Sequence, residues 1–192
     1  MKTTHQNNQA AFYQDQAERY DQLYAHRSRT YALKANFAKE VITAKGLTSG
    51  TLLEVGCGSG LFTQKYDIIC GVDIIHHIEN PIEALRVWKN LANPNGILLF
   101  LECNPINPAM YIRHYNRPEE KRLYLNNKKN LTSWVAAAGW KNISVKNLPT
   151  YLPSGPEKMW NLLTVTEEFI HKIPLINRLS GLFLVYAEKN IK

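Results

Sequence analysis

The chain is 192 residues long, 45% hydrophobic and 20% charged, which is ordinary for a soluble protein and enough for one domain with a core of its own. Its longest apolar stretches, such as GILLFL and GLFLVYA, are far too short to span a bilayer, and MKTTHQNNQAAF lacks the apolar centre of a signal peptide. No transmembrane segment and a cytoplasmic location are therefore expected. The net charge of +7 would suit a nucleic acid, but the charges are scattered and RPEEKR at 117–122 mixes signs, so a solvated basic exterior is the better reading and a nucleic-acid partner is not expected.

Residues 8–45 have the period of a helix, in two pieces: Phe12, Tyr13, Tyr20, Leu23, Tyr24, Tyr31, Phe37 and Val41 recur at steps near three and four, and Gly46 follows as a C-cap. TLLEV then reads as a short strand buried on both faces, and YDIICGV as a second. NPIEALRVWKNLA is a helix with Pro81 in its first turn and Ile82, Leu85, Val87, Trp88 and Leu91 on its inner side. NPNG reads as a turn and ILLFLE as a third strand. The following CNPINPAMYIRHYNRPEEKR is irregular. LTSWVAAAGW is a short helix closed by Gly139, KNISVKNL a strand, EKMWNLLTVTEEFIHKI a helix ended before Pro174, and GLFLVYAEK a last strand. Strands alternating with helices predict the α/β class, with a sheet parallel in its centre and helices on both faces. Cys57, Cys70 and Cys103 are odd in number and widely spaced. They suggest buried reduced thiols, with no disulfide framework and no metal site.

LLEVGCGSG sets Gly56, Cys57, Gly58 and Gly60 directly after the first strand. Glycines at such a turn let the backbone reverse sharply and approach a ligand with no Cβ in the way. Glu54 puts a carboxylate at the end of this strand, sited to receive amine or hydroxyl donors of a small molecule. A tight turn with a solvated rim carboxylate would look the same, so these residues alone leave binding and structure both open. The spacing is G-x-G-x-G, not G-x-G-x-x-G, and no acidic residue follows about 20 positions on in a suitable strand, which disfavours a nicotinamide dehydrogenase.

LLEVGCGSG resembles the first motif of the class I S-adenosylmethionine-dependent methyltransferases. YDIICGVDIIHHIENPIEALRVWKNLANPNGILLFLECNP is similar to a later segment of that family, where a fourth strand leads through a His-His loop to a helix, a turn and a fifth strand. With AERYDQLY near the start and AAAGW before a sixth strand, the likeness is to the ubiquinone- and menaquinone-biosynthesis-like branch, whose substrates are small molecules. The resemblance implies a Rossmann-like methyltransferase sheet under an N-terminal helical lid. It implies S-adenosylmethionine as cofactor, S-adenosylhomocysteine as product, and a small-molecule acceptor. It also implies cofactor contacts from Glu54, Gly56, Cys57, Gly58, Gly60 and Asp73, with Tyr20, beside Tyr13 and Tyr24, folding over the cofactor.

One stretch departs from that pattern. Only Leu61 to Lys65 separate the glycine turn from the next apolar run, where the family has a helix, a second strand ending in an acidic residue, another helix and a third strand. A βαβ unit takes about 30 residues or more, so about one and a half βα units are absent and five strands are expected in place of seven. Two alignments compete. In the favoured one YDIICGV is the fourth strand, with Gly71 to Asp73 at the rim near the methionine end of the cofactor. In the other it is the second strand, and Asp73 binds the ribose hydroxyls. The favoured alignment removes a ribose carboxylate, a hydrogen-bonded charge typically worth about 1.5–3 kcal/mol. It also leaves the first strand as a sheet edge, a surface for a homodimer.

In this class the sulfonium carries the reactivity, and the protein aligns acceptor, methyl carbon and sulfur and removes a proton where one must leave. His77, at the place of the family's more regular histidine, is the candidate general base, since an ordinary imidazole titrates near neutral pH. Against it stands the reading that a histidine at this bend caps the next helix or packs beneath the cofactor. Residues 104–130, with Tyr111, His114 and Tyr115, occupy the place where the family shapes its acceptor pocket. Met110, Tyr111, Met159 and Trp160 suit an aromatic or lipid-like acceptor and equally a core. NPIN at 104–107 follows the fifth strand and is not the Asn-Pro-Pro-Tyr type signature of nucleic-acid enzymes. One domain is expected over 1–192: a helical segment 1–48, a cofactor-binding part 49–103, an acceptor-side insertion 104–130 and a C-terminal sheet part 131–192. The alternatives are a cofactor-impaired relic or binding protein without turnover and, further off, an RNA methyltransferase.

Overall fold

The computed structural model describes residues 36, 39–47, 49–55, 65–108, 110–111, 117–149, 169, 171–174 and 176–190. Among them, β1 (Leu52–Val55), β2 (Tyr66–Val72), β3 (Ala92–Cys103), β4 (Lys141–Leu148) and β5 (Leu182–Glu188) form one sheet in the order β1-β2-β3-β5-β4. β1, β2 and β3 run parallel, while β5 is antiparallel to both β3 and β4. Side chains alternate between the two faces of a strand, so a strand covered on both sides must be apolar at every position. β3 shows this directly. Leu98 and Phe100 join Ile69 and Val185 on one face, and Ile97, Leu99 and Leu101 join Ile68, Leu184 and Tyr186 on the other.

Among the described residues, two helices cover the first face. In α1 (Pro81–Leu91) the Asn80 side chain accepts the Glu83 N–H, and in α2 (Lys128–Ala137) the Asn127 side chain accepts the Asn130 N–H, so each helix begins on a side-chain cap. Gly139, at φ +87°, ends α2 in the left-handed region that favours glycine. Trp140 then turns inward, and its indole N–H donates to the Leu85 carbonyl at 3.0 Å, locking α2 against α1. On the second face pack Val41, Ile42 and Leu47, from the helical turn at 39–44 and the residues just after it. Lys45 anchors that segment: its Nζ lies 3.1 Å from Glu188 Oε1 and 4.7 Å above the Tyr186 ring. Hydrogen bonds from the Tyr186 hydroxyl first, then Asn142 and Lys45, hold the Glu188 carboxyl at about 2.

Three expectations are corrected. β1 is buried on one face only: Leu53 is buried, whereas Leu52 is 52% exposed and Glu54 is exposed, because the second-face cluster with Val41, Ile42 and Leu47 takes in β2, β3 and β5 and not β1. Val87 is 48% exposed, since 100° per residue aligns Pro81, Leu85 and Trp88 and turns Val87 away from that row. NPNG bows out of the ladder inside β3, where a turn ahead of the strand was expected. β3 starts at Ala92, opposite Tyr66, and the ladder resumes at Ile68 opposite Ile97 after an irregularity. Asp67 steadies this corner, taking hydrogen bonds from the Thr51 N–H at 2.8 Å, the Thr51 hydroxyl at 3.1 Å and the Asn93 amide at 2.7 Å. Those bonds, the Thr51 N–H foremost, hold its carboxyl below the usual range.

The order of strands is the one expected from the favoured alignment. In a doubly wound sheet of order 3-2-1-4-5-6 the fourth strand lies between the first and the fifth. With β3 as the fifth strand, as that alignment has it, β2 stands between the first and the fifth, and the absent units would be those that continue the sheet past β1. Residues 1–35 of the N-terminal helical segment expected over 1–48, and most of the helix expected before Pro174, lie outside the described residues. No helix among the described residues is long and apolar enough to cross a membrane.

Candidate functional site at the carboxyl edge of the sheet

Because β1, β2 and β3 are parallel, Val55, Val72 and Cys103 end along one edge, the edge at which open α/β sheets bind ligands. Glu54 lies one residue short of it, paired in register with Cys70 of β2. Gly71 packs so close to Phe100 that a Cβ would come 2.5 Å from its Cε1. Asp73 follows at φ +53°, a left-handed conformation that aspartate adopts more readily than most residues, with its N–H bonded to the Leu101 carbonyl at 2.8 Å. The chain then makes the 3-10 turn Ile75–His77 and enters α1.

Glu102, which the sequence reading missed, organises this turn. It is fully buried at the end of β3. Its Oε1 accepts the N–H groups of Ile74 at 3.0 Å and Ile75 at 2.8 Å. Its Oε2 faces His76 Nδ1 at 3.1 Å and accepts the Asn126 amide at 2.8 Å. On the far side of the ring, His76 Nε2 faces Glu120 Oε2 at 3.0 Å, and Glu120 belongs to the 3-10 element Pro118–Leu125. His76 therefore ties the end of β3 to the acceptor-side segment. Burial lowers its proton affinity, but hydrogen bonds to Glu102 and Glu120, with the charges of Glu102 and Asp73, outweigh that and raise its pKa to about 10. At neutral pH the ring is an imidazolium with no lone pair to offer an acceptor. The neighbouring His77 is half-buried, with its ring centroid 4.0 Å from that of His76. Neither histidine caps α1, a role that falls to Asn80. The signal that could have found Glu102 was the one used for Glu54: a carboxylate ending an otherwise apolar strand.

Beyond β3, Pro105, Ile106, Pro108, Tyr111 and Tyr124 line an apolar pocket of about 440 Å³, with the two tyrosine rings 6.1 Å apart edge to face. Met110 belongs instead to a buried cluster with Cys103, Leu123 and Leu182. The asparagines of NPIN are structural. Asn104 donates to the carbonyls of Arg178 at 2.9 Å and Ser180 at 2.5 Å, and Asn107 donates to that of Leu179 at 2.6 Å, stapling the start of this segment to the loop before β5. Of the residues anticipated for the site, the structure gathers Asp73, His76 and His77 at one turn and places Glu54 on the adjacent strand. Tyr20, Gly56, Cys57, Gly58, Gly60, His114, Tyr115, Met159 and Trp160 lie outside the described residues.

Residues 62–145 match a family model described as a methyltransferase domain. No curated protein matches the sequence. A solved S-adenosylmethionine-dependent methyltransferase from Thermotoga maritima, a possible histamine N-methyltransferase, aligns with 93% of this chain and 98% of its own at 13% identity and a TM-score of 0.62. The plantazolicin methyltransferase BpumL, in complex with a monoazolic desmethylPZN analog and S-adenosylhomocysteine, aligns over 93% and 90% at 13% identity and a TM-score of 0.55. At such identities the two structures bear on the fold, and the matched family model bears on the chemistry. Together they show that the chain has the Rossmann-like α/β fold of these two solved methyltransferases, and that residues 62–145 within it are similar to a methyltransferase domain.

Proposed function

We propose that this protein transfers the methyl group of S-adenosylmethionine to a small apolar or aromatic acceptor, of the kind handled by the ubiquinone- and menaquinone-biosynthesis-like branch, in the cytoplasm. The observation that carries the acceptor class is the pocket of Pro105, Ile106, Pro108, Tyr111 and Tyr124, which stands just past the carboxyl end of β3 within residues 104–130. Apolar walls with a few polar tips are the usual lining of small-molecule sites. The fold likeness to a possible histamine N-methyltransferase and to a plantazolicin methyltransferase supports a small acceptor.

In this reading the methionine end of the cofactor lies against Glu54, the turn of Gly56, Cys57, Gly58 and Gly60, and the rim at Asp73, with Tyr20 over it. His77 is the candidate base, because both nitrogens of His76 already face carboxylates. Calorimetric titration of the 192-residue chain with S-adenosylmethionine and S-adenosylhomocysteine tests the reading, with Gly58→Arg as control. Micromolar binding lost in the control supports it. A well-folded chain that binds neither compound would make this a methyltransferase relic without turnover. The exposed Leu52 on β1 favours a further proposal, pairing of two chains through that edge, and a monomeric mass by light scattering at high concentration would rule it out.

A further inference from the structure

We infer that His76, His77 and Glu120 form a binding site for one divalent transition-metal ion, with Glu102 orienting His76. One nitrogen from each histidine and a carboxylate oxygen from Glu120 lie within 4.8 Å of one another, in a cluster where His76 and Glu120 are buried and His77 half-buried. Two ligands bound side by side on an ion at about 2.0–2.2 Å stand about 3 Å apart. His76 Nε2 and Glu120 Oε2 already have that separation, at 3.0 Å. The cluster spans up to 4.8 Å, so its widest gap must close by up to about 1.8 Å to reach that separation, a side-chain adjustment that ion binding would have to drive.

The surroundings are those of a metal-binding histidine. Such a ring characteristically gives its other N–H to a carboxylate, which fixes the tautomer and raises the basicity of the ligating nitrogen. His76 does so: Nδ1 faces Glu102, leaving Nε2 toward Glu120. Glu102 is in turn held by the N–H groups of Ile74 and Ile75 and the Asn126 amide, four partners in all with His76. With His76 neutral, Glu102 and Glu120 together bring two negative charges to the cluster, which a divalent cation balances. The ion takes the place of the proton now shared between Nε2 and Glu120, and that proton leaves to solvent. Two imidazoles with one carboxylate suit zinc, cobalt, nickel or ferrous iron better than magnesium or calcium, which prefer oxygen. Three protein ligands also leave coordination positions for water or for an oxygen or nitrogen of a bound molecule.

The inference does not depend on methyl transfer or on the acceptor, and it occupies the His77 lone pair that the base role would otherwise use. The test is titration of the chelator-stripped full chain with Co2+ and Zn2+, followed by visible absorption and calorimetry, with folding checked by circular dichroism. The expected result is one ion per chain with a Co2+ ligand-field band. His77→Ala and Glu120→Gln should lose that band, and Glu102→Gln, which keeps all three ligands, should weaken affinity by about 10–100-fold. A folded wild-type chain that binds no ion, or binding that His77→Ala leaves unchanged, would overturn the site and reduce the trio to a hydrogen-bonded clamp.

Discussion

Glu102 and His76 form an ion pair at the carboxyl edge of the sheet, Oε2 to Nδ1 at 3.1 Å, with both side chains almost wholly shielded from solvent. Removing one partner of a buried pair leaves the other charge without compensation, at a typical cost of about 3–5 kcal/mol. Glu102→Ala also takes the acceptor from two backbone N–H groups, so a loss in this range is expected from urea unfolding, with a smaller one for Glu102→Gln. A loss below about 1 kcal/mol for Glu102→Ala would show that the network is not what holds the turn.

Gly71→Ala should destabilise the fold by about 1–3 kcal/mol, the usual cost of an extra methyl in a packed core. The new Cβ would meet Phe100 Cε1 at 2.5 Å, and Phe100 has little freedom to yield because it stacks on Trp88 with centroids 5.0 Å apart. The deficit should shrink in a Phe100→Leu background. Additive thermal-unfolding losses in the double variant would argue against this contact as the cause.

Acid should loosen the tie between Lys45 and β5. The Glu188 carboxyl sits at about 2 in the fold against an ordinary 4.5, so on acidification the unfolded chain takes up this proton first. Its stabilising contribution is complete above about 4.5 and fades as the pH falls toward about 2. The gap in urea midpoint between wild type and Glu188→Gln should therefore narrow across that interval. A gap independent of pH would mean that the stabilisation comes from packing, not charge.

Tyr124→Ala opens the apolar pocket and removes the edge-to-face partner of Tyr111. Aromatic pairs contribute about 0.5–1.5 kcal/mol beyond their buried area, which for a bound acceptor corresponds to a rise in KM of at least about two- to tenfold. S-adenosylmethionine affinity should stay unchanged. An equal loss of both would show that the pocket does not discriminate acceptor from cofactor.

Much of the fold was legible from local rules. Pro81 and Asn80 mark the start of α1, Gly139 ends α2, and the apolar runs of β2 and β3 need cover on both faces. The burial of β1 was misjudged because a strand's sequence does not state which of its faces is covered, and the second-face cluster stops at β2. Val87 was misread because apolarity does not fix the side of a helix, while NPNG does turn, as a bulge after the strand has begun at Ala92. The site was legible only in outline. The histidine pair drew notice by position, but the partners of His76 stand 26 and 44 residues away in the chain, at separations that leave no periodic trace. The sequence therefore favoured His77, whereas the fold makes His76 the hub.

β5 follows β4 in the chain yet lies between β4 and β3. Among the described strands, β4 thus has no partner until β5 is made, and β5 enters between two neighbours. Assembly in that order resembles the setting of a keystone. The first three strands and α1 can form as each appears, while the far side of the sheet waits for one late segment and closes all at once.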